Sequence, residues 1–278
     1  MFLTGLQTLE TEGHKSVMIR LSYKLRVSTP ITVTNYSGHI TNAIAKRFLS
    51  MNDPLPHLIS VTPLMNLTMS RYLIDSPILL PIGTYGFTVT CPTSNLQAVI
   101  KLAGQSHIEI EGIKCQVEGI ELQPIDIHAL RSPEYPGYFS LQFLTPTRMG
   151  KLAISAKAGK AIYELLPIPT YVFGSLASIW NKIVPAENAI EIDKYVEWIR
   201  SHMIIVSPFN LRSQTVRLGG GRRIPGFVGK VTYTSIKPNS YEHAVTVILA
   251  RLSQFTGVGL GRRLGLGVTR YLDGREEN

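Results

Sequence analysis

Apolar and polar residues alternate along SVMIRLSYKLRVST, residues 16–29, so that Val17, Ile19 and Leu21 lie on one face. This period of two predicts a half-buried strand. The period then changes, because apolar residues recur at spacings of three and four from Ile40 to Leu49. That pattern predicts an amphipathic helix over 38–51, which the Asn-Asp-Pro sequence at 52–54 ends.

The rest of the first half continues this mixture of strands and helices. Residues 57–74 are predicted to be extended, and 83–91 and 107–121 are rich in β-branched and aromatic residues typical of strands. Residues 94–104 predict a short helix that ends at Gly104. The order strand, helix, strand, strand, helix, strand is that of a split βαβ, or ferredoxin-like, unit.

A second series of elements follows RSPEYPG, residues 131–137, where turn-forming residues are dense. Strands are predicted at 138–149, 202–217, 224–235 and 264–272, and helices within 170–200 and at 240–254. We therefore predict an α+β fold of two tandem ferredoxin-like (RRM-like) domains, residues 1–132 and 133–278.

Composition narrows the class of protein. The chain has 278 residues, and 44% of them are apolar, which is enough to form a hydrophobic core in each of the two predicted domains. It has no run of 18 apolar residues and no basic segment before an apolar stretch at its start, so we predict no membrane span and no secretory signal. Cys91 and Cys115 form no metal-binding or disulfide pattern, so we expect a reducing, cytoplasmic location and no metal site.

Positive charge is concentrated near the end of the chain. Residues 201–278 contain 11 Lys and Arg against four acidic residues, a net charge of +7, whereas residues 1–200 contain 17 against 15. A basic segment attached to a nearly neutral body is typical of a surface that binds a polyanion, because neutralising phosphates releases counterions. A generic basic surface is the alternative.

The segment TGVGLGRRLGLG, residues 256–267, combines glycines with two arginines. Such glycines permit positive φ and a close approach of the backbone to a ligand, so the segment has the composition of a phosphate cradle. No Gly-Lys-Ser/Thr sequence follows, and the glycines lie after a helix and before a strand, which excludes a Walker loop and a Rossmann fingerprint. The alternative is a tightly packed connection between helix and strand.

Four motifs together resemble a known family. They are SVTPL at 60–64, FLTPTRM at 143–149, RRIPGFVGKVTY at 222–233 and TGVGLGRRLGLG at 256–267. This ordered set resembles the CRISPR precursor-RNA processing endoribonucleases of the repeat-associated (RAMP) superfamily. The resemblance implies two ferredoxin-like domains and a cofactor-free, metal-independent cleavage within the CRISPR repeat that leaves a 2′,3′-cyclic phosphate.

The resemblance also implies a catalytic histidine near the first helix. His57, between that helix and SVTPL, matches the family position best, and His39 at the start of the helix is the alternative, where a helix N-terminus favours phosphate. The helix between them spans on the order of 15–20 Å, so the two do not easily share one reaction centre. The tyrosine and lysine of some family members are missing from their usual places, and Tyr36, Lys46 and Arg71 are candidates to replace them.

RNA contacts are expected from basic residues and from the glycine-rich segment. The predicted contacts are Arg148, Lys151, Arg222, Arg223, Lys230, Gly257, Gly259, Gly261, Arg262, Arg263, Gly265 and Gly267. The expected partner is the CRISPR repeat RNA (pre-crRNA), with subunits of a CRISPR effector complex and a monomeric or homodimeric state left open. Two alternatives remain: a non-catalytic RAMP subunit that binds crRNA in an effector complex, and an unrelated basic RNA-binding module.

Overall fold

Two antiparallel sheets, each packed against helices, form the fold. They are seen in a computed structural model that describes residues 16–49, 58–131, 135–150 and 162–274. In both sheets the four principal strands follow the spatial order fourth, first, third, second of a ferredoxin-like unit. The predicted α+β fold with two ferredoxin-like units is confirmed.

The first unit is built on a seven-stranded sheet and two helices. Its strands are β1 (Ser16–Val27), β3 (Ser60–Val61), β4 (Met65–Asn66), β5 (Arg71–Tyr72), β7 (Gly83–Pro92), β8 (His107–Ile110) and β9 (Ile113–Asp126). They lie in the order β5-β4-β7-β1-β9-β8, with β3 also paired to β7. A small separate sheet joins β2 (Ile31–Val33) to β6 (Ile78–Leu80). The helices are α1 (Ser37–Phe48) and α2 (Leu96–Ala103).

The second unit has a four-stranded sheet with the strands β10 (Tyr138–Thr147), β11 (Met203–Arg217), β12 (Arg223–Ser235) and β13 (Thr269–Asp273). They lie in the order β11-β12-β10-β13. The helices are α3 (Pro169–Ile183), α4 (Ile192–His202) and α5 (Tyr241–Thr256). The turn between β11 and β12 contains Gly219–Gly221, and the glycine-rich segment connects α5 to β13 through a single 3-10 turn, Arg262–Leu264.

Three predicted elements differ from the structure. Residues 107–121 are not one strand but the hairpin of β8 and β9, which turns at Glu111 and Gly112, where φ is +48° and +80°. The extended stretch after the first helix is divided into the short strands β3, β4 and β5. The last strand begins at Thr269 rather than at 264, because the glycines before it adopt positive φ and leave the extended conformation.

Apolar packing joins the two units. Met18, Leu58 and Ile125 from the first unit belong to the same buried cluster as Phe143 and Trp180 of the second. The predicted domain boundary at 132/133 lies outside the described residues. The described helices include none long and apolar enough to cross a membrane, and in the same ranges no three His, Cys, Asp or Glu side chains cluster as metal ligands would.

Side chains of the first unit also bind the end of α5. The Arg20 guanidinium of β1 donates a hydrogen bond to the Gln254 carbonyl and lies 4.7 Å from the centre of the Phe255 ring. The Ser60 hydroxyl donates to the Phe255 carbonyl at 3.1 Å. The last carbonyls of a helix lack partners within the helix and carry its negative dipole end, so these two donors stabilise the docking of α5.

Candidate active site and nucleic-acid interface

Three distant segments meet where α1 begins. The Tyr36 amide donates to the Arg217 carbonyl at the end of β11 at 3.0 Å, and the Tyr36 hydroxyl donates to the Gly265 carbonyl at 2.7 Å. A buried apolar cluster forms around Tyr36 from Val216, Leu218, Ile224 and Leu266. The start of α1, the β11–β12 turn and the glycine-rich segment therefore form one rigid junction.

His39 lies in the first turn of α1, at the surface of this junction. Its side chain is exposed, and its amide donates to the Tyr36 carbonyl at 2.9 Å. The preceding residue, Gly38, is buried against the Leu264 carbonyl, so the 3-10 turn of the glycine-rich segment packs against α1 one residue before His39. An exposed imidazole next to a turn that carries two arginines has the placement that a proton-transfer group on a bound polyanion needs.

Hydrogen bonds from α1 to the neighbouring strands fix the position of the helix. Ser37 Oγ donates to the Leu73 carbonyl at 2.6 Å, and Thr41 Oγ1 donates to the Thr62 carbonyl at 2.8 Å. Both side chains are fully buried. The orientation of His39 therefore follows from a helix that is fixed on both sides, which is how sites are held in productive geometry.

Lys46 is exposed in the last turn of α1, seven residues after His39. Seven residues are nearly two helical turns, so Lys46 and His39 share a face but are separated by about 10 Å along the axis. Arg47, which the sequence analysis did not single out, is exposed next to Lys46. This spacing suits contacts with successive phosphates of one strand rather than with one reacting atom.

Burial argues against a catalytic Tyr36. The side chain has no exposed surface, and burial raises the pKa of its hydroxyl well above the ordinary value. The hydroxyl stays protonated and donates to Gly265, so it cannot contact a substrate in this conformation. Tyr36 is therefore a positioning residue that fixes the glycine-rich segment to the start of α1.

All five glycines of the segment adopt positive φ, between +67° at Gly257 and +85° at Gly261. Protein atoms rather than open space surround them: a Cβ at Gly257 would lie 2.9 Å from the Gly267 carbonyl oxygen, and one at Gly265 would lie 2.9 Å from the Pro63 ring. Many of the amides also donate within the protein, among them those of Val258, Leu260, Leu264, Gly265, Leu266 and Gly267. These contacts favour the packed connection over an open phosphate cradle.

Two of the predicted RNA-binding arginines contact this connection, Arg262 through its side chain and Arg148 through its backbone carbonyl. Arg262 Nη1 donates to the Thr256 carbonyl at 3.2 Å, and burial lowers the pKa of Arg262 to about 10, so the guanidinium remains charged at neutral pH. The Arg148 guanidinium lies 4.2 Å from the centre of the Tyr163 ring, and the Arg148 carbonyl accepts from the Leu260 amide at 2.9 Å. Arg263 is half-buried on the same turn.

Further exposed cations lie in and beside the β11–β12 turn, which meets the start of α1 through the bond between Tyr36 and Arg217. Arg222 and Arg223 are both exposed, and Arg223 is opposite the exposed Arg217 in the strand ladder. Arg217 was not a predicted site residue. Arg217 is identified by the backbone hydrogen bond that it accepts from Tyr36. This bond joins residues 181 positions apart, so no sequence pattern reveals it.

The remaining predicted residues are not brought to this junction. Lys230 is exposed on β12, opposite Gln142 and Asn210, seven residues and roughly 23 Å of strand from Arg223. His57 and Lys151 lie outside the described residues. Among the predicted acid-base groups that the structure describes, His39 is the exposed one at the junction.

Replacing Tyr36 by phenylalanine is expected to lower the free energy of unfolding by about 1–2 kcal/mol, because the buried Gly265 carbonyl loses its hydroxyl donor. Urea denaturation measures the change. Tyr138→Phe is the matched control, since Tyr138 is 49% exposed, and it should shift the free energy by less than about 0.5 kcal/mol. Equal effects of the two substitutions would contradict the assigned role of the Tyr36 hydroxyl.

Comparison with known proteins identifies the relatives of this chain. Residues 141–269 match the family described as CRISPR-associated endoribonuclease Cas6, a range that contains three of the four motifs. The CRISPR-associated endoribonuclease Cas6 of Mycobacterium tuberculosis is 29% identical over 132 residues, which are 48% of this chain and 38% of that protein. The chain thus aligns with little more than a third of that relative's length. The predicted resemblance is confirmed.

Solved structures show the same fold. A Cas6 product complex superposes with a TM-score of 0.70 at 19% identity and covers 92% of this chain and 100% of its own. Thermus thermophilus Cas6 gives a TM-score of 0.67 at 18% identity, covering 94% and 100%. A RAMP protein described as binding different RNA substrates gives 0.57 at 14% identity, covering 91% and 99%. At these identities the likeness concerns the fold alone.

Proposed function

We propose, from this resemblance to the Cas6 endoribonucleases, that the chain cleaves CRISPR precursor RNA within the repeat to release crRNA. The observation that carries the proposal is the exposed His39 at the start of α1, beside the 3-10 turn of the glycine-rich segment and near the cations of the β11–β12 turn. The family match and the positive charge of residues 201–278 support an RNA substrate.

The proposed reaction uses the RNA's own 2′-hydroxyl and needs no metal ion. The 2′-oxygen attacks the adjacent phosphorus, a bond from O2′ to phosphorus forms, and the bond from phosphorus to O5′ breaks. The products are a 2′,3′-cyclic phosphate and a free 5′-hydroxyl. The 2′-hydroxyl loses a proton and the departing O5′ gains one, so a histidine that accepts or donates a proton accelerates the step.

His39 is the acid-base group of this proposal. Arg217, Arg222 and Arg223 would bind the flanking phosphates, and the start of α1 adds a partial positive charge where negative charge develops on the reacting phosphate. Lys46 would contact the strand about 10 Å away rather than the reacting atoms. His57 remains the alternative acid-base group.

A non-catalytic RAMP subunit is the second candidate function. The buried Tyr36 and the distance from His39 to Lys46 leave His39 without a second predicted acid-base group at the junction, within the described part of the chain. Such a subunit would bind crRNA in an effector complex and leave it intact.

Cleavage of labelled repeat RNA in the presence of EDTA tests the proposal. The expected result is a product with a 2′,3′-cyclic phosphate, formed at the same rate with and without EDTA. An RNA with a single 2′-deoxy nucleotide at the cleavage position should bind equally well and remain uncut. Tight binding with intact RNA in every reaction would favour the RAMP subunit instead.

A further inference from the structure

A second site lies away from His39, between the two units. A cleft of about 580 Å³ opens between the end of β9 with the following 3-10 turn (His128–Leu130) on one side and α5 with β13 on the other. Its walls include the side chains of Gln123, Asp126, Arg131, Arg251, Phe255 and Tyr271. This volume is within the range of small-ligand sites and exceeds that of a single ordered water.

The walls of the cleft are held in place before any ligand binds. Arg251 Nη1 donates to the Leu130 carbonyl at 3.0 Å, and the Arg251 guanidinium lies 5.5 Å from the centre of the Tyr271 ring. On the other wall, Phe255 packs under the Arg20 guanidinium at 4.7 Å. A preformed site of this kind loses little conformational entropy on binding.

Arg20 lies behind Phe255, next to the cleft but outside its lining. Arg20 and Gln123 are opposite each other on β1 and β9, so their side chains lie on the same face of the sheet. One Arg20 nitrogen donates to the Gln254 carbonyl, whereas the Arg20 Nε is buried and has no hydrogen-bond partner among the described residues. Arg20 therefore supports the Phe255 wall from behind and the end of α5.

The chemistry of the walls matches a nucleotide. Arg131 and Arg251 give two guanidinium groups against the single carboxylate of Asp126, which favours a phosphate. Phe255 and Tyr271 present half-buried aromatic rings on which a base can stack. Gln123 offers both a donor and an acceptor to the edge of a base.

We propose that this cleft binds one unpaired nucleotide of the RNA substrate, away from the scissile phosphate. The proposal rests on the proposed function and adds a second contact to it. Phe255 lies directly before Thr256, where the glycine-rich segment begins, so α5 and that segment connect the cleft to the junction at His39. A free mononucleotide shares the same chemistry and is the alternative source of the ligand.

Filling the cleft tests the proposal. Ala129 is exposed on its wall, so Ala129→Trp places a bulky ring in the cleft without disturbing a core, and His128→Trp adds the same ring at the neighbouring exposed position outside it. The probe is the complete chain with repeat RNA that carries a 2′-deoxy nucleotide at the cleavage position. Ala129→Trp should weaken binding about tenfold, because one stacked base is lost, and His128→Trp should not.

Charge reversal gives a second, independent variant. Arg131→Glu should weaken binding by a similar factor, and Lys114→Glu, an exposed cation on β9 outside the cleft, should have a much smaller effect. Circular dichroism spectra of the four variants show whether each is folded. RNA affinity equal in Ala129→Trp and His128→Trp would overturn the proposal.

Binding of free nucleotides distinguishes an RNA strand from a mononucleotide as the ligand of the cleft. Calorimetric titration of AMP and UMP into the intact chain should give binding no tighter than the millimolar range if the cleft serves an RNA strand. Micromolar binding of a mononucleotide that Ala129→Trp abolishes, with RNA affinity unchanged, would overturn the assignment to RNA. The readout is binding, so a chain that binds repeat RNA without cutting it would refute the proposed cleavage and still test the cleft.

Discussion

Replacing His39 by alanine is expected to lower the rate of repeat cleavage by between about 10² and 10⁴, the usual contribution of a positioned acid-base group. The side chain is exposed, so its removal should change the free energy of unfolding by less than about 0.5 kcal/mol. Affinity for the RNA should change little, since the neighbouring arginines remain. Single-turnover rates at saturating protein concentration isolate the chemical step from binding.

Two further substitutions make the His39 result specific. His107→Ala removes another exposed histidine, on β8, and should leave the rate unchanged. His57→Ala tests the alternative acid-base group. A wild-type rate in His39→Ala together with a collapse in His57→Ala would assign the chemistry to His57 and refute the role proposed for His39.

Replacing Gly38 by alanine is expected to destabilise the protein by about 2–3 kcal/mol, although alanine normally favours a helix over glycine by about 1 kcal/mol. A Cβ at this position would overlap the Leu264 carbonyl oxygen and lie 2.6 Å from Tyr36 Cε1. The helix and the 3-10 turn would have to separate. Because that turn lies beside His39, we also expect cleavage to slow about tenfold or more.

Gly104→Ala is the matched control for the Gly38 substitution. Gly104 follows α2, and a Cβ there would meet its nearest atom, the Ile100 carbonyl oxygen, at an ordinary 3.6 Å. Urea denaturation of both variants compares the two sites, and the control should stay within about 0.5 kcal/mol of wild type. Equal stability of the two variants would show that contact between α1 and the glycine-rich segment is not tight.

Local periodicity predicted the regular elements well. The helix predicted over 38–51 is found at Ser37–Phe48, and that predicted over 240–254 at Tyr241–Thr256, because each buries one apolar stripe that the sequence displays directly. The stretch 57–74 was less accurate. Its three short strands are set by pairing with β7 and with each other, which is a tertiary effect that local propensity does not contain.

The site could be predicted only in part. The composition of residues 256–267 identified positions of positive φ, which the structure confirms, but not that protein atoms surround them. Tyr36 is a polar residue beside a helix start, and this position suggests a catalytic role. Only the fold reveals that its hydroxyl donates to the carbonyl of Gly265, 229 residues away. Sequence patterns identify residue types, whereas long-range packing decides which of them are exposed.

The bonds from Arg20 and Ser60 to the end of α5 determine how much of the chain is one folding unit. Together with the shared core of Met18, Leu58 and Ile125, they couple the stability of each sheet to the presence of the other. A fragment of residues 141–269 alone would expose that core and leave the α5 carbonyls without these donors. The intact protein, in contrast, should unfold in one cooperative thermal transition. The stretch that matches the Cas6 family, residues 141–269, is therefore expected not to fold by itself.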